Sequence, residues 1–298
     1  MRAEAEMSRN NGVIRIADDP RLVSTWTRHV RAGRAVRPLP GVVMDAGLTS
    51  DPIAWVRAVH AWDPNATIAG RAAAHLTFAP DLAVTEIEVY RAGLQSDRGP
   101  LRFRRHLLNP ELTTWVGSLR VATPEASALT AALAGDYDPA TIALRKSMVS
   151  VASLSDAARL LATRPAHRLR TVLRDVSNNP WSVAEVRAHR LLRRAGIGGW
   201  IGNYPIAVDG QVLTVDIAIP EARVAIEVNS FEFHSQRAAM ERDAFRSNAL
   251  LSIGWRPYVL TPRQIAERPD ETINWLRSVA GRRALRSRAT QPPAPIRQ

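Results

Sequence analysis

Two carboxylates stand inside runs of apolar residues, and they constrain this chain more than any other feature. Asp216 lies within Val212-Leu-Thr-Val-Asp-Ile-Ala-Ile219, and Glu227 within Arg223-Val-Ala-Ile-Glu-Val-Asn229. Pro220-Glu221-Ala222 joins the two runs by so short a turn that adjacent antiparallel strands are expected, with Asp216 level with Glu227. A period of two sets Glu227 and Asn229 on one face with Ala225 behind them, and Val224, Ile226 and Val228 on the other. A carboxylate in an apolar strand is costly unless it is paired or holds a metal. Two such groups facing each other repel, and a hard cation relieves the repulsion. Mg²⁺ or Mn²⁺ suits that chemistry, because few carboxylates, retained waters and a phosphate complete its shell.

A third acid precedes them. Ser182 to Arg194 reads as an amphipathic helix with Val183, Val186, Leu191 and Leu192 apolar. Glu185 follows Ser182 by three residues, the spacing of a capping box, so it either caps the helix or joins the two strand acids. A Gly-rich turn, the segment Tyr204–Val208 and a hairpin turn at Asp209-Gly210 lead into the Asp216 strand.

Upstream, residues 1–20 read as polar and irregular. Residues 21–32 have helical spacing, with Leu22, Val23, Trp26 and Val30 on one face and Gly33 as a stop. Two short extended pieces then flank Pro38-Leu39-Pro40-Gly41, the pattern of a winged helix. Helices are expected after Asp51-Pro52 and over Gly70–Leu76, and strands over 84–90, 101–105 and 119–121. Helices then continue to Val176, and Ser177-Asn178-Asn179-Pro180 marks a boundary. The fold class expected is α/β (α+β) and multidomain. It comprises a winged-helix DNA-binding module (1–78), an αβ and helical connecting domain (79–176), a mixed sheet flanked by helices (177–282) and a disordered tail (283–298).

The net charge is +12, and Lys146 is the only lysine, so the basic groups are essentially all arginine. Such a balance favours a phosphate-bearing partner, and arginine binds phosphate in a bidentate manner. Arg28, Arg31 and Arg34 fall on or beside the helix over 21–32 and Arg37 follows it, a basic surface. Arg102, Arg104 and Arg105 on a strand are expected to extend that surface. No apolar run approaches the ~18 residues that span a bilayer. The start of the chain lacks a secretory core and there is no cysteine, so a cytoplasmic protein without a membrane partner is expected.

The segments VDIAIPEARVAIEVNSFEFH (215–234) and RDAFRSNALLSIGWRPYVLT (242–261) resemble the PD-(D/E)XK nuclease superfamily, and more closely its very-short-patch-repair-like endonuclease domains. The resemblance implies a restriction-endonuclease-like fold in which Asp216 and Glu227 ligate Mg²⁺ or Mn²⁺. Glu185 would be an auxiliary ligand or orient water, and His234 would be a candidate base. Arg242 and Arg246, at i and i+4 on one helix face, would hold the scissile phosphate. Where the superfamily has lysine, this chain has Asn229, which can ligate through its carbonyl oxygen but brings no charge and cannot act as a base.

Segments 27–43, 70–76 and 117–133 are similar to the AbiEi family of type IV antitoxins, a winged helix followed by an αβ domain. Gly41-Val42-Val43 lacks the aromatic residue with which that family often ends its wing. That likeness implies that Arg28, Arg31, Arg34 and, at the wing, Arg37 track DNA phosphates while Thr27 or His29 reaches base edges. Together the resemblances imply a DNA-binding, metal-dependent endonuclease. The alternative is a catalytically inactive antitoxin-like repressor, partnered by a nucleotidyltransferase-type toxin.

Overall fold

The polar start of the chain is ordered, contrary to the irregular segment expected for residues 1–20. In the computed structural model, which describes residues 2–161, 166–228 and 236–284, helix α1 (Arg2–Arg9) leads into strand β1 (Val13–Arg15). Asn11 and Gly12, both at positive φ, make the turn between them. Met7 and Ile14 are buried in one cluster with Trp26, Ala35 and Val43. Met7 and Ile14 stand too far apart among polar neighbours to leave a periodic signal, and it is tertiary packing that orders the segment.

Two short 3₁₀ turns follow, then α2 (Val23–Arg31), the hairpin β2 (Ala35–Val36) and β3 (Val42–Asp45), and α3 (Pro52–Trp62). The three strands form an antiparallel sheet in the order β1-β3-β2. Next come β4 (Thr67–Ala69), α4 (Gly70–Thr77), β5 (Ile87–Tyr90), β6 (Leu101–Arg104), β7 (Thr113–Val116) and β8 (Leu119–Ala122). These strands make a mixed sheet in the order β6-β5-β4-β8-β7, with β5 and β6 parallel. Helices α5 (Pro124–Leu133), α6 (Asp138–Arg145) and α7 (Val151–Leu160) follow, and the division between the two compact units, at Val172 and Leu173, falls inside α8 (Ala166–Val176).

The second unit opens with α9 (Val183–Arg194), capped by the Ser182 side chain. A meander of β9 (Ile201–Val208), β10 (Gln211–Ile219) and β11 (Val224–Val228) leads through α10 (Gln236–Ser252) to β12 (Arg256–Leu260), then α11 (Pro262–Glu267) and α12 (Pro269–Ala284). Strand order is β12-β11-β10-β9, antiparallel except for β11 and β12. The core falls into two layers, and β10 changes layer at Asp216, with Val215 in one and Ile217 in the other. Ile217, Ile219, Val224, Ile226 and Val228 pack with Leu191 and Leu192 of α9 and Leu276 of α12. Val215, Ala218 and Ala225 pack with Ile206, Val208 and Leu250 of α10. Of the tail expected from 283, residues 283 and 284 close α12 and the remainder lies outside the described residues. Among the described residues no helix is long and apolar enough to cross a membrane.

Gly202 is required where β9 passes the segment entering α9. A Cβ there would lie 2.1 Å from the Asn178 carbonyl oxygen and 3.1 Å from His189 Cε1. Backbone cannot yield as a side chain does, so Gly202→Ala is expected to cost about 2–3 kcal/mol in urea unfolding. An unchanged midpoint would show that this approach is not tight.

Candidate active site

The ladder between β10 and β11 pairs Ile217 with Ile226, and its register continued by one residue sets Asp216 directly across from Glu227. On the other side of β10, Gly202 pairs with Ile217 and Tyr204 with Val215, which sets Asn203 of β9 beside Asp216. Glu185 joins this row from the first turn of α9, with 4% of its surface exposed. It does not close a reciprocal capping box. Its backbone N–H donates to Ser182 Oγ at 3.1 Å, while its Oε2 accepts from Trp181 N at 2.9 Å and from Asn203 Nδ2 at 2.8 Å. The acid left open between cap and site therefore serves both.

Among the described residues, each strand acid has one donor. Val228 N–H donates to Asp216 Oδ2 at 2.7 Å. Arg246, on α10, donates from Nη2 to Glu227 Oε1 at 2.5 Å and to the Thr214 carbonyl at 2.8 Å. Among the described residues, Asp216 Oδ1 and Glu227 Oε2 receive no hydrogen bond, which leaves one oxygen of each acid for a ligand. No three His, Asp or Glu side chains among the described residues gather into a ready-made metal cage. Mg²⁺ needs none, since it is commonly held by one or two carboxylates with water and phosphate.

Burial raises the Asp216 carboxyl to about 7, helped by the charges of Glu227 and Glu185 and opposed by the Val228 N–H and Arg246. Glu185 is also raised, by burial first and then by Glu227, against the bonds from Trp181, Asn203 and Ser182. The acids thus share one electrostatic environment. His189, fully buried on α9, is pushed down to about 3 by burial and the nearby Arg193, so it is a neutral core residue.

Of the other residues expected at the site, Arg246 meets Glu227, and Arg242 lies one turn earlier on α10. Asn229 and His234 lie outside the described residues. Asn203 was not anticipated. Its only sequence signal is a polar residue after a glycine at the start of an otherwise apolar strand.

In the first unit, Arg28 and Arg31 of α2, Arg34 after it and Arg37 beyond β2 are all exposed, and none pairs with an acid among the described residues. Arg37 Nη2 donates to Thr27 Oγ1 at 3.1 Å, which ties it to the face of α2. Thr27 also donates to Val23 O at 3.0 Å, and His29 packs edge-on to Trp26. The basic strand β6 differs from expectation. Arg102 pairs with Glu86 at 2.5 Å and Arg104 with Glu88 at 2.8 Å, so their charge is spent within the sheet. Glu88 of β5 and Glu86 just before it lie against the arginines of the parallel neighbour β6.

Comparison with protein-family models and with curated proteins finds none that matches this chain.

The sign of the pH dependence follows from Asp216. Its folded pKa lies above the ordinary 3.8, so the stability linked to its proton is full below about pH 4 and lost as pH rises through 7. In chelator, Asp216→Asn is expected to match the wild type near pH 4. By about pH 8 it should exceed it by on the order of 2 kcal/mol, discounted for partial exposure. Guanidinium unfolding across that range checks this, and a less stable variant at the upper end would contradict a costly buried charge.

Proposed function

We propose that this chain is a DNA-binding, Mg²⁺-dependent endonuclease that hydrolyses phosphodiester bonds at the site formed by Glu185, Asp216 and Glu227. The observation that carries the reading is the placement of Asp216 across from Glu227, with Glu185 in the same electrostatic environment. The order α9-β9-β10-β11-α10-β12, with its mixed sheet, supports a restriction-endonuclease-like core. The order α1-β1-α2-β2-β3, with β3 between β1 and β2, supports a winged helix in which α2 faces DNA.

Asp216 and Glu227 are the residues to hold the cation, each offering an oxygen that no described group engages. A bound divalent ion supplies charge neutralisation at the phosphate and activates water. Arg246 brings a positive charge to the acids where the superfamily lysine is missing, and its guanidinium can turn to a phosphate oxygen. Glu185, made a stronger base by burial, is the described group suited to accept the proton of attacking water.

A specific observation favours a second reading, a repressor that binds DNA without cutting it. Arg246 occupies Glu227, and Asn229 adds no charge. In that case the partner would be operator DNA, with a nucleotidyltransferase-type toxin as a further partner.

Incubation with plasmid, short duplex and single-stranded DNA in Mg²⁺ or Mn²⁺ separates the readings. Cleavage is expected, reduced roughly 1000-fold by Asp216→Ala or Glu227→Ala. Absence of cutting by the wild type, or equal cutting by Asp216→Ala, sinks the nuclease. Both readings require DNA binding through the first unit. Arg28→Ala and Arg31→Ala are each expected to weaken binding across sequences and to lower the slope of log K against log salt by about one. A slope unchanged in both would remove α2 from the interface.

A further inference from the structure

Asn203 is built into the site in a way that helix capping and core packing do not require. It adopts φ +47° within β9, a left-handed conformation that asparagine tolerates better than most residues but that strand geometry does not ask for. The residue is buried, with 9% of its surface exposed. Both amide hydrogens are used, one donated to Glu185 Oε2 and one to the Asn179 carbonyl, each at 2.8 Å. Two acceptors demand the NH₂ end there, so the orientation of the amide is fixed by its partners.

The consequence is an orphan. Asn203 Oδ1 is buried and has no hydrogen-bond partner among the described residues. A buried acceptor without a donor costs free energy, and at a functional site such a group is explained by what it binds. The register sets it beside Asp216, and its bond to Glu185 keeps its side chain with the acids. With a cation bound both strand carboxylates are ionised and have no proton to offer this oxygen. A hard cation satisfies a neutral amide oxygen and two carboxylates at once.

We propose that Asn203 is the third oxygen ligand of the cation site, joining Asp216 and Glu227 through Oδ1 while its NH₂ group holds Glu185. The assignment rests on the reading that this site takes a divalent cation. The test is calorimetric titration of Mn²⁺ into the full chain, alongside thermal melts of each variant. Wild type is expected to bind and Asp216→Ala not to. Asn203→Gly removes the amide yet keeps a left-handed backbone at little cost, and it is expected to weaken Mn²⁺ binding at least about tenfold. Asn203→Asp keeps an oxygen in place of Oδ1 but loses both donors, and it should bind Mn²⁺ as tightly as wild type or tighter.

Wild-type affinity in Asn203→Gly overturns the assignment, and so does equal weakening in both variants, which would leave Asn203 as a clamp on Glu185 alone. If Asn203→Gly does not fold, Asn203→Asp decides, with weaker binding counting against the ligand. A wild type that binds no Mn²⁺ sinks the cation site together with this assignment.

Discussion

Two like charges facing each other across β10 and β11 are the constraint around which the second unit is arranged. Neither Asp216 nor Glu227 is bathed in solvent, so each needs a compensating group, and each compensation comes from a different element. The N–H of Val228 in β11 serves Asp216, and Arg246 of α10 serves Glu227. Glu185 is held by the entry to α9 and by β9. Shifting β10 against β11 by one residue would turn Asp216 away from Glu227 and into the layer filled by Ile217, Ile226 and Leu276. The apolar alternation that fixes the core therefore also fixes the site.

This is why the acids were legible in the sequence and Asn203 was not. A strand has two faces, and Pro220-Glu221-Ala222 leaves little freedom of register, so the facing of Asp216 and Glu227 follows from local pattern alone. Asn203 depends on a left-handed backbone and on partners 18 and 24 positions away, Glu185 and Asn179. Periodicity carries no information about either. The start of the chain was misread for a related reason. Met7 and Ile14 become core only through contact with Trp26, Ala35 and Val43, which no window of neighbouring residues reveals.

Charge shows the same divide. A net charge of +12 invites a phosphate partner, yet composition cannot separate arginines that hold the fold from those free to bind. Arg71 meets Asp136 and Asp138, Arg91 meets Asp63, and Arg102 and Arg104 meet the acids of β5. Their positive charge is largely cancelled where it stands. Arg28, Arg31, Arg34 and Arg37 are exposed on and after α2, and none of them pairs with an acid among the described residues. Composition alone does not separate these two groups of arginines.

The same accounting applies to the acids of the second unit. Three carboxylates, Glu185, Asp216 and Glu227, face one described guanidinium, that of Arg246, so full ionisation would leave the cluster two charges negative. The protein's own recourse is a proton, which is what the raised affinities of Asp216 and Glu185 express. A proton neutralises one charge; a divalent cation neutralises both and releases the proton as it binds. The raised affinity for a proton and any affinity for a divalent ion therefore have one origin, the excess of buried carboxylates over the one described guanidinium beside them.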